Sequence, residues 1–182
     1  FVEENGGNYV MLDILTLGWA ALQTARNHTS LPIHAHRAGH AAFDRSLEHG
    51  IKMNIIAKFA RIIGVDTLHI GTAFGKMSGS EAEVLDIEKE IEKNSIKEIY
   101  GNLRQEWYKT KSVLGVASGG VHPGLVKGII GFMGNDVLLQ AGGGIHGHPD
   151  GTSAGARAMR QAVDATLKKI SLKEYAKTHK EL

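Results

Sequence analysis

Five short apolar runs, each followed by a segment of helical spacing, restrict this chain to a small set of folds. Tyr9 to Leu15, Leu31 to His36, Asp66 to Gly71, Ser112 to Ala117 and Asp136 to Gln140 read as strands. Connections of that length and helical character force neighbouring strands to be parallel. The first run is almost continuously apolar, as expected of a strand covered on both faces. Gly18 to Arg26 reads as a helix ending near Asn27, and a second runs from Ala41 to Glu48 before His49-Gly50. A third starts near Lys52, with Ile55, Ile56, Phe59, Ile62 and Ile63 as its apolar face and Gly64 as its stop. Glu81 to Lys93 is rich in acids, with Val84, Ile87 and Ile91 at helical spacing, and reads as a solvated outer helix. His122-Pro123 opens a helix through Leu125, Val126, Ile129 and Ile130. Thr152 or Ser153 is suited to cap a long helix from Ala154 to about Ile170, and the polar tail from Ser171 to Leu182 reads as a short surface helix. No domain boundary, repeat or low-complexity linker interrupts this order.

The strand ends carry the chemistry. If Leu31 to His36 is a strand, His34 and His36 point to one face, because side chains alternate with period two. Arg37 follows directly, and His40 lies one helical turn beyond His36. Later strands end in His69-Ile70-Gly71, Ser118-Gly119-Gly120 and Gly142-Gly143-Gly144. In a parallel sheet the C-terminal strand ends lie on one side. Glycine there lets backbone N–H groups approach a phosphate with no Cβ in the way, although any one glycine pair is also what a tight turn requires. Glycine is abundant, 23 of 182 residues, and it is clustered at these positions. Arg37, His69 and Ser118 are suited to a second anion. Lys76, between Gly75 and Gly79, reads as a cation on a mobile loop that closes over substrate, or else as an exposed loop lysine. Two anion sites and one lysine suit a small bisphosphorylated substrate.

Composition narrows the partners. A net charge of +2 without a basic tract gives nucleic-acid binding no electrostatic support. No apolar run approaches the roughly 18 residues of a membrane span. The absence of cysteine excludes disulfides, zinc–thiolate sites and thiol nucleophiles, and fits a cytoplasmic location. Phe1 to Gly7 is no signal peptide; it reads as the tail of a helix and a connecting loop, as in a chain cut from something longer. At 182 residues the chain is short for a barrel of eight strand–helix units, which takes roughly 250.

Four motifs, in order and spacing, resemble the large (catalytic) subunit of ribulose bisphosphate carboxylase/oxygenase, RuBisCO. They are His34-Ala-His-Arg-Ala-Gly-His40, His69-Ile-Gly-Thr-Ala-Phe-Gly-Lys76, Ser118-Gly-Gly-Val-His122 and Gln140-Ala-Gly-Gly-Gly-Ile-His-Gly-His-Pro149. The resemblance covers nearly the whole chain. Gly18-Trp-Ala-Ala-Leu-Gln23 and the His-Pro-Asp-Gly at 148–151 are more similar to archaeal form III enzymes than to plant ones. It implies an α/β fold, a (β/α)8 TIM barrel of which residues 1–182 are the C-terminal five units, with the N-terminal domain and early barrel strands absent. It implies His36 as the proton acceptor in enediol processing and Lys76 as the loop lysine that stabilises carboxylation. Arg37, His69 and Ser118 match ligands of one substrate phosphate. Gly120, Gly142 and Gly143 match backbone donors to the other, with Gly119 and Gln140 in the same substrate-contacting segments. The implied partners are ribulose bisphosphate, CO2 or O2, and further copies in an oligomer built on dimers.

The family's Mg2+ sits on a carbamylated lysine, an aspartate and a glutamate in a Lys-x-Asp-Asp/Glu motif, which does not occur here. The resemblance therefore implies no metal ligand in this chain and little activity from it alone. Five units cannot close a barrel, so the first and fifth strands are expected to present open apolar edges and to favour aggregation or pairing. Three other readings stand beside it: a RuBisCO-like enolase or isomerase, which retention of both His36 and Lys76 disfavours; an inactive fragment; and an amidohydrolase using His34 and His36 as paired zinc ligands. His34, His40, His122, His146 and His148 are left without assigned roles.

Overall fold

The computed structural model describes residues 1–46, 48–74, 80–98 and 102–182. In chain order the elements are β1 (Val10–Asp13), α1 (Ile14–Leu17), α2 (Trp19–His28), β2 (Ile33–His36), α3 (Ala41–Asp44), α4 (Met53–Ile63) and β3 (Thr67–His69). Then come α5 (Glu81–Glu92), β4 (Ser95–Ile96), β5 (Gln105–Glu106), β6 (Leu114–Ala117), a 3-10 turn (Pro123–Leu125) and α6 (Val126–Met133). The chain finishes with β7 (Leu138–Leu139), α7 (Gly143–His146), α8 (Thr152–Leu167) and α9 (Leu172–Tyr175). Two compact units result: residues 1–69 with 85–115, and residues 70–84 with 116–182.

In the first unit β1, β2 and β3 are parallel neighbours in sequence order, as the helical connections require. Val10 pairs with Ile33 and Asp13 with His36; His34 pairs with Thr67 and Ala35 with Leu68. Alternation then divides the sheet. Ile33, Ala35 and Leu68 are fully buried on the apolar face, while His34, His36, Thr67 and His69 occupy the other. This division overturns the expectation that the first strand is covered on both faces. Met11 is 52% exposed and Asp13 is also exposed, because both lie on the polar face.

Polar hubs brace the opposite, N-terminal ends of the strands. Asp66 takes Arg26 Nη1 at 3.0 Å, the Ile33 N–H at 2.7 Å and Lys111 Nζ. Burial alone would raise the Asp66 carboxyl, but these hydrogen bonds and the two cations hold it below the usual carboxylate range. Arg61, fully buried on α4, donates to the carbonyls of Lys93 (2.7 Å), Glu90 (3.0 Å), Lys111 (3.0 Å) and Thr110 (3.3 Å). Its guanidinium carbon stands 4.3 Å over the Trp107 ring. The antiparallel pair β4–β5, absent from the sequence expectation, lies between the backbone segments Arg61 ties down.

The expected apolar face of α4 is corrected. Met53, Ile56, Ala57, Ala60 and Arg61 are buried, whereas Ile55, Phe59 (47%) and Ile62 (63%) are exposed. The α4 residues carry two apolar stripes, and the stripe bearing the small Ala57 and Ala60 is the one packed inward. Gly64 stops the helix as expected, at φ 96° with its N–H bonded to Ala60 O and Arg61 O. The helix expected from Ala41 to Glu48 shortens to α3.

The second unit pairs β6 with β7 in parallel, Val116 beside Leu138 and Ala117 beside Leu139. α8 buries Ala154, Gly155, Ala158, Met159, Ala162 and Ala165, a small-residue stripe that admits close neighbours. A Cβ on Gly155 would fall 2.0 Å from Ile145 O, so α7 and α8 touch through backbone. Neither Thr152 nor Ser153 caps α8, contrary to expectation; Gly151 does, at φ 86°, without a side-chain bond. The two hydroxyls are engaged elsewhere, Thr152 with His146 Nδ1 at 3.1 Å and Ser153 as acceptor from Arg157 Nη1 at 3.1 Å. In the tail Ser171 Oγ accepts from the Glu174 N–H to start α9, and Tyr175 is buried. Glu181 accepts from Arg157 Nε (2.7 Å) and Gln161 Nε2 (2.8 Å), bonds that lower its carboxyl to about 2.

Candidate functional site

The polar face of β1, β2 and β3 assembles a histidine cluster. Period two sends His34 and His36 to one side, and His69 on β3 meets both, its ring centroid 4.8 Å from His34 and 4.6 Å from His36. Both contacts are edge-on, at 75° and 85°. His36, at the end of β2, has its Nδ1 2.5 Å from Asp13 Oδ1, on the strand beside it. A carboxylate accepts only, so His36 Nδ1 donates to it. That contact fixes the tautomer and leaves Nε2 with the lone pair, the arrangement a proton acceptor needs. The side chains of both residues are part-exposed, so the pair is open to a ligand.

His34 is different. It is 7% exposed, with Nδ1 2.6 Å from Thr67 Oγ1 and Nε2 2.8 Å from His69 Nε2. Both its nitrogens are committed within the protein, which argues against a zinc pair formed with His36. His69 is 3% exposed, and its Nε2 lies 2.8 Å from His34 Nε2. Arg37 follows β2 directly and is half-buried.

Ser118, Gly119, Gly120, Gln140, Gly142 and Gly143 belong to the second unit. Ser118 to Gly120 follow β6, and Gln140 follows β7 with its N–H on Ala117 O at 3.0 Å. Gly119 and Gly120 hold φ of 101° and 75°, so their turn alone requires glycine. Gly142 and Gly143 are otherwise. A Cβ on either would meet nothing within 4 Å, and neither takes a positive φ. Among the described residues nothing demands glycine at these two positions, and both are exposed. By contrast a Cβ on Gly144 would fall 2.1 Å from Val121 O, so packing requires that glycine. Lys76 lies outside the described residues.

Other histidines make contacts within the protein. His40 Nδ1 binds Asp44 Oδ2 at 2.7 Å. His148 accepts from the Asp150 N–H at 3.0 Å and donates to Glu181 O at 2.9 Å, tying the tail down. His122 lies against Gly124, where an added Cβ would stand 3.0 Å from its Cε1. Asp13 and Thr67 are the site residues missed in the sequence reading. Asp13 is the last residue of its strand and obeys the strand-end rule that picked out His36, so the signal was present.

Among the described residues no group of three or more histidine, aspartate or glutamate side chains is arranged to hold a metal ion. The cluster is imidazole-rich, whereas Mg2+ takes oxygen ligands in near-octahedral geometry. These residues do not fit that ion.

Residues 1–182 match the family model "Ribulose bisphosphate carboxylase large chain, catalytic domain" over their whole length. A ribulose bisphosphate carboxylase of Pyrococcus furiosus is 50% identical over 184 residues, covering 100% of this chain and 41% of the relative. The solved dimeric archaeal Rubisco from Hyperthermus butylicus superposes with a TM-score of 0.90 at 47% identity, covering 99% of this chain and 43% of that one. A rubisco-like protein from Burkholderia fungorum superposes at 0.83 with 32% identity, covering 99% of this chain and 42% of that one. The chain thus spans less than half the length of these relatives, and its parallel α/β architecture is that of their barrel, unclosed by the strands present. By sequence and by fold, this chain belongs to the ribulose bisphosphate carboxylase large-chain family.

Proposed function

We propose that this chain is the C-terminal part of the catalytic barrel of a ribulose bisphosphate carboxylase/oxygenase of archaeal form III type. The reaction is a lyase reaction in which ribulose bisphosphate, CO2 and water give two phosphoglycerates through an enediolate. His36 Nε2 accepts a proton during processing of the enediol, with Asp13 holding the ring and stabilising the imidazolium that forms. Arg37, His69 and Ser118 bind one phosphate, Arg37 by its guanidinium. Gly120, Gly142 and Gly143 present backbone N–H groups to the other, and Gly119 and Gln140 line the same segments. Lys76 stabilises the carboxylation transition state. Mg2+ is the expected metal of the complete enzyme, with ligands from outside these residues, and this piece alone is inactive. The complete protein works in the cytoplasm as an oligomer built on dimers, as the Hyperthermus butylicus relative is dimeric.

The observation that carries the reading is the pair Gly142–Gly143. Neither backbone conformation nor packing among the described residues explains these glycines, and close approach of a ligand to the main chain does. Asp13–His36 favours proton transfer over simple anion storage, because a binding site has no need of a carboxylate fixing a histidine tautomer. Calorimetric titration of the complete protein with ribulose bisphosphate tests the binding half. Gly142→Val, whose added Cβ enters open space, weakens binding by about tenfold or more, roughly one charge-assisted hydrogen bond. Unchanged affinity in Gly142→Val removes the phosphate role from this loop.

A further inference from the structure

We propose that His122 is a further ligand of the phosphate assigned to Gly120, Gly142 and Gly143, donating a hydrogen bond from Nε2 to a phosphate oxygen. The inference rests on the reading of those glycines as phosphate donors. Its ground is an exposed imidazole that the chain makes room for and does not bond. Among the described residues no hydrogen bond or ion pair reaches the ring of His122.

Two glycines face this residue, and neither has a positive φ to account for it. A Cβ on Gly124 would stand 3.0 Å from His122 Cε1 and 3.2 Å from Nδ1, so close that the ring would have to shift. A Cβ on Gly144 would stand 2.8 Å from His122 Cβ and 2.9 Å from its Cα, besides its approach to Val121 O. Glycine loses more backbone freedom on folding than any other residue, so a glycine that only makes room for a side chain weakens the fold. Here two of them seat one ring. Pro123 restrains it further: the residue before a proline is held extended, and His122 has φ −148° and ψ 166°. Backbone and ring are therefore placed before any ligand arrives, which lowers the entropy lost on binding.

Position and chemistry then name the ligand. His122 follows the left-handed turn at Gly119 and Gly120 by two residues, and its Cα and Cβ pack against Gly144, the neighbour of Gly143. It thus joins the two glycine segments. Gly124 takes the Cε1–Nδ1 edge of the ring, whereas Nε2 lies more than 4 Å from the Cβ position there. Among the described residues His122 belongs to no group of three side chains able to hold a metal ion. An imidazole N–H at Nε2, on a neutral or a charged ring, suits an anionic oxygen.

The test uses the complete protein and ribulose bisphosphate. In the unaltered protein the 15N signal of His122 Nε2 moves on addition of the bisphosphate; a signal that stays in place overturns the proposal without any variant. His122→Phe keeps a ring and removes both nitrogens. Calorimetric affinity falls and KM rises about tenfold, the scale of one hydrogen bond to a charged group, while kcat is nearly unchanged. His122→Gln, whose amide nitrogen reaches the place of Nε2, restores most of the affinity, which a purely packing role for the ring would not do. Affinity unchanged in His122→Phe, or lost equally in His122→Phe and His122→Gln, overturns the proposal. Gly142→Val separates the two layers. If it weakens binding while His122→Phe does not, the reading of the glycines stands and His122 alone is no ligand. If Gly142→Val binds like the unaltered protein, that reading fails and the proposal falls with it.

Discussion

At the scale of single residues, the side chains proposed to perform chemistry are distinct from those that only hold shape. Asp13→Asn keeps the size of the side chain but replaces the charged acceptor that fixes His36 by an amide that can also donate, so the tautomer is no longer fixed. In the complete enzyme kcat falls by about 10²-fold or more with little change in KM, since proton transfer and not binding is impaired. A KM effect without a kcat effect would place Asp13 in binding instead. The glycines divide in the same way. Gly144→Ala drives a Cβ toward Val121 O and costs about 1–3 kcal/mol in urea unfolding, whereas Gly142→Ala leaves unfolding nearly unchanged and raises KM for the bisphosphate. His36, Arg37 and the glycine clusters were legible in the sequence because a strand-end position and a residue type sufficed to find them. The distinction between Gly142 and Gly144 was not legible, because it depends on which backbone atom lies opposite, and that is a property of packing alone.

At the scale of elements, the strands and the ends of α4 followed from apolar spacing and from Gly64, but the orientation of α4 did not. Two apolar stripes compete on that helix, and the outcome turns on Ala57, Ala60 and the buried Arg61, residues that hydrophobicity ranks low. Arg61→Lys is expected to fail as a replacement: an ammonium has three donors where four carbonyls wait, and the loss is roughly 3 kcal/mol in equilibrium unfolding. Two carboxylates give opposite dependences on pH. Asp66 is held below its ordinary range when folded, so its contribution is complete above the unfolded value of about 4 and is lost as pH falls through the folded one. Asp66→Asn therefore flattens the acid limb of stability. Glu88 on α5 is pushed up to about 7 by burial and by the nearby Glu92 charge. Between about 4.5 and 7 the unfolded chain releases that proton and the folded chain keeps it, so stability falls with rising pH and then levels. Glu88→Gln removes the loss and is more stable than the unaltered protein at pH 8 but not at pH 4, by urea midpoints.

At the scale of the whole molecule, the chain carries a strand, β1, whose outer edge has no partner among the described residues; Met11 within it and Tyr9 just before it are exposed. With Ile55, Phe59 and Ile62 also open on α4, the isolated chain is expected to self-associate. A single monomeric species in sedimentation, with one sharp thermal transition, would contradict that. In the proposed function these residues supply the proton-transfer and phosphate-binding part of a carboxylase whose metal is held elsewhere. This role is tested most directly by incorporation of radiolabelled bicarbonate with ribulose bisphosphate and Mg2+, for this chain alone and after mixing with the upstream half of the complete protein. No acid-stable label is expected from the chain alone, and labelled phosphoglycerate is expected once the upstream half is present and His36 is intact. Consumption of the bisphosphate without label, as an enolase or isomerase would give, or incorporation that survives His36→Ala undiminished, contradicts it.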